Sequence, residues 1–379
     1  MKVEFYKHNL EDEDIARLVE VCKGVFLTTG QQTREFEEAF AAYLGAGHAV
    51  GVTSCTAAIH LALLALDVGP GDEVITTPMT FAATANCILY TGAAPVFVDV
   101  DAATGLIDPG AVERAVTPRT KAIIPVHLYG LMADMRKLKA IADRAGAAIV
   151  EDCAHAIESQ RHNVRPGQLS QAACFSFYAT KNITSGEGGA VVTNDPQLAQ
   201  RVRVLRQHGM SASAADRYSG VYRHWDLETL GWKYNMTNLQ AALLIGQLQR
   251  IDRLWTERER VARRYEAAFA STAGIGYPIV PGGAKSARHL FTIWVDPARR
   301  DNVLAGLQAN GIGVAVNYRA VHLLTYYQSR MGLGRGAFPN AERIGDSTVT
   351  LPLYPRLTDD EVDHVAATVK SVTKDVARA

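Results

Sequence analysis

The sequence predicts an α/β protein built on a mostly parallel sheet, with a smaller C-terminal α/β unit appended. Three observations lead there. Short apolar runs alternate with amphipathic helical patterns from about His48 to Thr193, the rhythm a parallel sheet needs because each crossover takes a helix-length connection. The chain has 379 residues, 48% of them apolar, enough for one large core and a second, smaller one. No fixed-period repeat or low-complexity tract is present, which excludes solenoids and arrays.

Seven runs read as strands: residues 49–52, 74–77, 95–100, 122–126, 147–151, 173–177 and 189–193. Segments 57–66, 134–144 and 196–208 have the helical spacing and the length to cross a sheet face. The polar stretch 201–226 is a loop or lid candidate. After Met236 a long helix is expected, with Leu244, Leu248, Ile251 and Trp255 three or four apart and extending towards Phe269. Segments 289–295 and 314–318 read as strands, 300–310 and 359–372 as helices. The expected division is a large cofactor-binding domain over 1–250 and a small domain over 251–379.

Composition excludes several classes of function. Thirty-nine basic and 39 acidic side chains leave no net charge, and the cations are scattered, so neither nucleic acid nor a membrane surface is an expected partner. The start, Met1 to Asp14, is charged, and no segment approaches the roughly 18 apolar residues of a membrane span. Cys22, Cys55, Cys87, Cys153 and Cys174 are odd in number and never form a C-x-x-C pair. That pattern signals neither a disulfide framework nor a metal site, and it fits a cytoplasmic protein.

Three places carry chemistry. Thr53-Ser54-Cys55-Thr56-Ala57-Ala58 follows a strand and opens a helix, which puts hydroxyls and free N–H groups at the positive end of a helix dipole, ready for a phosphate. The same residues also make an ordinary N-cap. Glu151-Asp152-Cys153-Ala154-His155 sits at a strand end, where α/β sheets place ligands. There Asp152 awaits a cationic partner or caps the next helix. Lys181 follows the apolar strand at 173–177 and precedes a glycine-rich turn; desolvation there makes it a nucleophile for an aldehyde. Together an anion cradle, a carboxylate and such a lysine meet the needs of pyridoxal phosphate, with Asp152 keeping the ring nitrogen protonated. Phe81, at another strand end, is placed to stack on the ring or to pack in the core. No G-x-G-x-x-G follows the first strand, which removes a nicotinamide-binding enzyme.

These residues resemble the sugar aminotransferases of the DegT/StrS group. The likeness runs from about Thr28 to Val369 and rests on seven ordered blocks: 54–58, Pro78-Met79-Thr80-Phe81, 125–130, 151–156, 175–189, 231–242 and Leu351-Pro352-Leu353-Tyr354-Pro355. It implies the fold-type I scaffold of pyridoxal-phosphate enzymes, with a mostly parallel seven-stranded sheet. It further implies that Lys181 bonds the cofactor, Asp152 pairs with its ring nitrogen and Phe81 stacks on its ring. Thr56, Ala57 and Ser176 would hold the phosphate. His155, where relatives often carry Gln, would meet the phenolic oxygen. Asn235, with Lys233 in reserve, would reach the phosphate of a neighbouring subunit, so a homodimer is implied. Thr29, Arg223, Tyr318, Arg319 and His322 would line the sugar pocket, Arg319 suiting a diphosphate by its rigid fork.

The activity implied is transfer of an amino group from L-glutamate to a nucleotide-linked keto-deoxy-sugar, UDP-, GDP- or dTDP-linked and aminated at position 4. Pyridoxamine 5'-phosphate would be the amino-carrying form, and surface-glycan or lipopolysaccharide precursors the products. A pyridoxamine-dependent sugar dehydratase, in which His usually replaces the lysine, is disfavoured by Lys181. A non-catalytic regulatory protein would need an appended helix-turn-helix or basic arm, and none is seen.

Overall fold

The computed structural model describes residues 1–210 and 224–378. Helices α1 (Asp12–Lys23) and α2 (Gln31–Leu44) precede the sheet. The alternation read from the sequence starts at His48, so both are additions. Helix α1 carries an apolar stripe at Ile15, Leu18, Val19 and Cys22, but its one buried residue is Asp14, and Ile15 and Val19 stay exposed.

Strands β1 (His48–Val52), β2 (Glu73–Thr76), β3 (Ala94–Phe97), β4 (Thr120–Ile123), β5 (Ala148–Asp152), β6 (Ala172–Ser176) and β7 (Gly189–Thr193) each overlap one of the seven runs, β3 and β4 ending three residues before the runs at 95–100 and 122–126 do. They form one seven-stranded sheet in the order β1-β7-β6-β5-β4-β2-β3. Five of the strands, β3-β2-β4-β5-β6, pair in parallel, whereas β7 runs against both its neighbours.

Side chains along these strands alternate between two buried faces. Val50, Cys174 and Val191 join helices α3 (Cys55–Ala65) and α7 (Pro196–Leu205) on one face. Ala49, Phe175 and Val192 join α2 and helix α8 (Asn238–Gln249) on the other. There Phe36 stacks on Phe40 at 5.4 Å and Phe175 meets Phe40 edge-on at 5.0 Å. Each fully buried Phe contributes roughly 1.5–3 kcal/mol of transfer free energy. Helix α4 (Ala82–Tyr90) follows β2, and α5 (Pro109–Ala115) and α6 (Met135–Ala145) cover β2, β4 and β5 through Val112, Leu138 and Ile141.

A second apolar cluster gathers Val3, Val261, Tyr265, Phe291, Ile293, Leu307, Val349, Leu351 and Val365. It forms around the antiparallel pair β8 (Phe291–Trp294) and β9 (Thr348–Leu351), with helices α9 (Ile251–Phe269), α10 (Arg300–Ala309) and α13 (Asp359–Arg378). Helices α11 (Thr325–Met331) and α12 (Pro339–Ser347) lie between α10 and β9 in the chain.

Two expectations change. The long helix after Met236 is two helices, α8 and α9, broken at Arg250 (φ −108°, ψ 16°). Arg250 is pulled to the N-terminal segment, donating to Asn9 O at 2.9 Å and pairing with Asp14. The strand expected over 314–318 reduces to a single bridge, Ala315 with Thr350, because the chain leaves the sheet to bring Tyr318 against His155 at 3.1 Å.

The carboxyl ends of β1, β2, β5 and β6 open on one sheet edge. Antiparallel β7 enters at that edge with Gly189, in register with Ser176 and Val52. A Cβ on Gly189 would collide with the Ser54 carbonyl group, so glycine is what lets the start of α3 lie against β7. Gly189→Ala is expected to cost about 1–3 kcal/mol of stability, read as a lower denaturant midpoint at constant slope.

Candidate active site

Helix α3 starts where β1 ends. Ser54 caps it, its Oγ accepting from Ala57 N–H at 3.1 Å. The helical ladder begins with Ala58 N–H to Ser54 O at 3.0 Å, so the Cys55 and Thr56 amides have no intrahelical acceptor. Ser176, one strand beyond Gly189, stands at the end of β6. The N-cap reading holds for Ser54, and the unpaired amides of Cys55 and Thr56 leave the helix start available to an anion.

Asp152 ends β5 with 7% of its surface exposed. Its Oδ2 accepts from Thr84 Oγ1 at 2.7 Å and its Oδ1 from Ala154 N–H at 3.1 Å. Because Thr84 gives its only hydroxyl proton to Asp152, Thr80, 2.7 Å away, must donate to Thr84. Among the described residues Asp152 forms no ion pair. A buried carboxylate so placed is matched to a cation supplied by a ligand, and a protonated pyridine nitrogen has that charge.

Lys181 lies in the loop after β6 and is half-buried, its N–H bonded to Tyr178 O at 2.9 Å. Burial pulls its amine down to about 8, with the negative charge of Asp152 opposing. His155 is 6% exposed; burial, then the charge of Lys181, holds its imidazole well below its usual range. Tyr318 is pushed up by burial and by Asp152. Its ring faces Phe81 at 5.8 Å, and Phe81 is 61% exposed. Phe81 is therefore not core packing: it offers a free aromatic face at the end of the β2 segment.

The fold thus brings Thr56, Ala57, Ser176, Asp152, Phe81, Lys181, His155 and Tyr318 to one edge. Arg319 is exposed beside Tyr318 and has no ion-pair partner among the described residues. Thr29 and Asn235 are joined to each other: Asn235 Nδ2 donates to Thr29 Oγ1 at 2.7 Å, and Thr29 donates to Met236 O at 2.6 Å. This stretch crosses the end of β1, where Thr53 N–H reaches Tyr234 O at 2.9 Å. Arg223 lies outside the described residues. His322 departs from expectation: it is fully buried, with Nε2 at 3.1 Å from Glu342 and its ring against Phe338 at 4.8 Å. With no accessible surface it has nothing to offer a sugar.

Thr80, Thr84, Tyr129 and His289 are site residues that the sequence reading passed over. The four-residue spacing of Thr80 and Thr84 across a helix start was a usable signal. Tyr129 stood inside the matching block 125–130 with no role of its own assigned, and His289, a single residue at the start of an expected strand, carried no signal.

The donor set fits pyridoxal 5'-phosphate: free amides and hydroxyls for its phosphate, an unpaired carboxylate for its ring nitrogen and a lysine of low basicity for its aldehyde. Fold and site define a fold-type I pyridoxal-phosphate aminotransferase. The chain belongs to the DegT/DnrJ/EryC1/StrS aminotransferase family, whose pattern it matches over residues 8–370. It is 44% identical over 369 residues to the spore coat polysaccharide biosynthesis protein SpsC of Bacillus subtilis (strain 168), covering 96% of this chain and 95% of that protein. Among solved structures it is similar to the putative sugar aminotransferase Spr1654 of Streptococcus pneumoniae in its PMP form, with a TM-score of 0.94, 31% identity, and 99% and 100% of the two chains covered. It is likewise similar to DesV of S. venezuelae, with a TM-score of 0.91, 37% identity, and 98% and 99% covered. The protein is a sugar aminotransferase of that family and depends on pyridoxal phosphate, acting on an amino donor and a sugar. No helix among the described residues is long and apolar enough to cross a membrane.

The lowered basicity of Lys181 sets a pH dependence. Below about pH 8 its amine holds a proton and cannot attack an aldehyde; above it the neutral form dominates. Cofactor capture by the cofactor-free protein should therefore quicken about tenfold per pH unit up to that point and then level, as followed by stopped-flow absorbance.

Proposed function

We propose that this protein transfers the amino group of L-glutamate to a nucleotide-linked keto-deoxy-sugar, at position 4, for surface-glycan or lipopolysaccharide precursors. The observation that carries the reading is the pairing of a lysine of low basicity with a buried carboxylate that has no ion-pair partner among the described residues. SpsC, the polysaccharide-biosynthesis relative, supports the glycan setting.

When bound, pyridoxal phosphate supplies an aldehyde that takes up the amino group and a protonated ring that withdraws electrons. The chain does the rest. The amides of Cys55 and Thr56, with the hydroxyls of Thr56 and Ser176, bind the phosphate, and Ala57 leaves room for it. Asp152 holds a proton on the ring nitrogen, and the Thr80–Thr84 relay holds Asp152. Phe81 bounds one face of the ring. Lys181, as a neutral amine, would accept the proton from the donor's α-carbon and return it to the cofactor's former aldehyde carbon, across the shared nitrogen. Arg319 binds the diphosphate through its planar fork, with Tyr318 on the sugar side.

Residues 1–250 would form the large domain and 251–379 the small one. A second copy in a cytoplasmic homodimer would bring Asn235 and Arg223 to this site.

Visible absorption of the loaded protein before and after L-glutamate tests the first half-reaction. The lysine-linked band should bleach in the wild type. Lys181→Ala should keep its fold by circular dichroism, lack that band and lose turnover by roughly 1,000-fold or more. Normal turnover in that variant would sink the assignment. Arg319→Ala should raise the KM for the nucleotide sugar about tenfold or more while bleaching by glutamate stays unchanged. An unchanged KM would remove Arg319 from the sugar site.

A further inference from the structure

Tyr129 lies in the left-handed region, with φ 60° and ψ 5°, where a bulky side chain is rarely found and is held only by its surroundings. Those surroundings are explicit. Gly130 O accepts from Ala287 N–H at 2.9 Å and from Ser159 Oγ at 2.7 Å, and the Tyr129 ring is buried.

The turn aims one group. Tyr129 N–H donates to His155 Nδ1 at 3.2 Å. A ring nitrogen that accepts carries no proton, so neutral His155 bears its proton on Nε2. Nε2 lies 3.1 Å from Tyr318 Oη, so His155 donates and the phenol accepts. The phenol proton is then left to be given elsewhere. Burial and the Asp152 charge keep that proton on Tyr318.

Both nitrogens of His155 are thereby committed to protein groups. Its ring is also packed against His289 at 4.3 Å, and His289 is fastened to Asn182 Oδ1 at 3.0 Å. His155 therefore has no free donor for the cofactor's phenolic oxygen, the contact that the family resemblance implies for it.

We propose that Tyr318 is the hydrogen-bond donor this site presents to an anionic ligand oxygen, with Tyr129 and His155 as positioning residues that orient it. Two ligand oxygens share the chemistry: the phenolic oxygen of the cofactor and the carboxylate of the amino donor. The rival acceptor is Asn317, the other polar side chain at the phenol, whose Oδ1 is buried with no partner. The proposal rests on Lys181 and Asp152 forming the cofactor site.

The relay is tested first on cofactor-free protein carrying 15N-labelled histidine, with His155→Gln identifying the signal. An Nε2-protonated His155 at neutral pH is expected; an Nδ1-protonated one overturns the relay, whatever the protein's substrate.

The ligand is then tested by titrating the visible band of loaded wild type and Tyr318→Phe without amino donor. Losing a donor leaves more negative charge on the phenolic oxygen, which holds the neighbouring proton more tightly. The band's apparent pKa should rise by about one unit, a tenfold change. A band that stays put while the KM for L-glutamate rises about tenfold assigns the donor's carboxylate instead. An unmoved band with an unmoved KM overturns the proposal and is the result expected if Asn317 takes the proton. A wild type that never takes up the cofactor overturns the site reading and the ligand together, while the tautomer measurement still reports on the relay.

Discussion

Asp152 is a carboxylate nearly out of solvent, bonded to a hydroxyl and an amide but to no cation among the described residues, and much of the molecule is arranged around it. Its neighbour Glu151 shows the contrast. Glu151 is fully buried, yet it accepts from Gly167 N–H at 2.8 Å, Ser170 Oγ at 2.5 Å and His127 Nε2 at 2.6 Å. Side chains alternate along β5, so one carboxylate is consumed by structure and the next is held open to a ligand. A buried anion left in that state is tolerated when something positive completes it.

The other groups follow from this placement. Thr84 reaches Asp152 because α4 starts just past Phe81, and the same turn leaves Phe81 exposed at the sheet edge. The start of α3 comes within reach because Gly189 has no Cβ to hold Ser54 away. Lys181 sits close enough to lower the basicity of His155 and is itself lowered by the burial they share. The network then runs on through His289 and Asn182 to Glu158, which is paired with the buried Arg258 of α9. Buried charges of that kind are costly to separate, so the loop carrying Lys181 is tied to the second apolar cluster.

Much of this was legible beforehand. The seven strands carried their own signal, since a sheet buried on both faces reads as short apolar runs whatever its neighbours do. The cradle at Ser54 to Ala57, Asp152 at a strand end and Lys181 before a glycine turn were legible for a related reason: each is a side chain placed by a local strand-to-loop transition. The N-terminal helices were not. Neither was the break at Arg250, whose side chain is bonded to Asn9 and Asp14 more than two hundred residues away.

The sequence by itself determined the sheet, the chemistry of its edge and the residue types that a pyridoxal-phosphate site needs, because periodicity and strand ends are local properties. Tertiary structure alone decided which of those residues meet. It took His322 out of reach by burying it against Glu342, set the tautomer of His155 through a Tyr129 amide, and turned Tyr318 to face the site. Those outcomes depend on hydrogen bonds between segments distant in the chain, and direction in space is the property that a linear pattern does not carry.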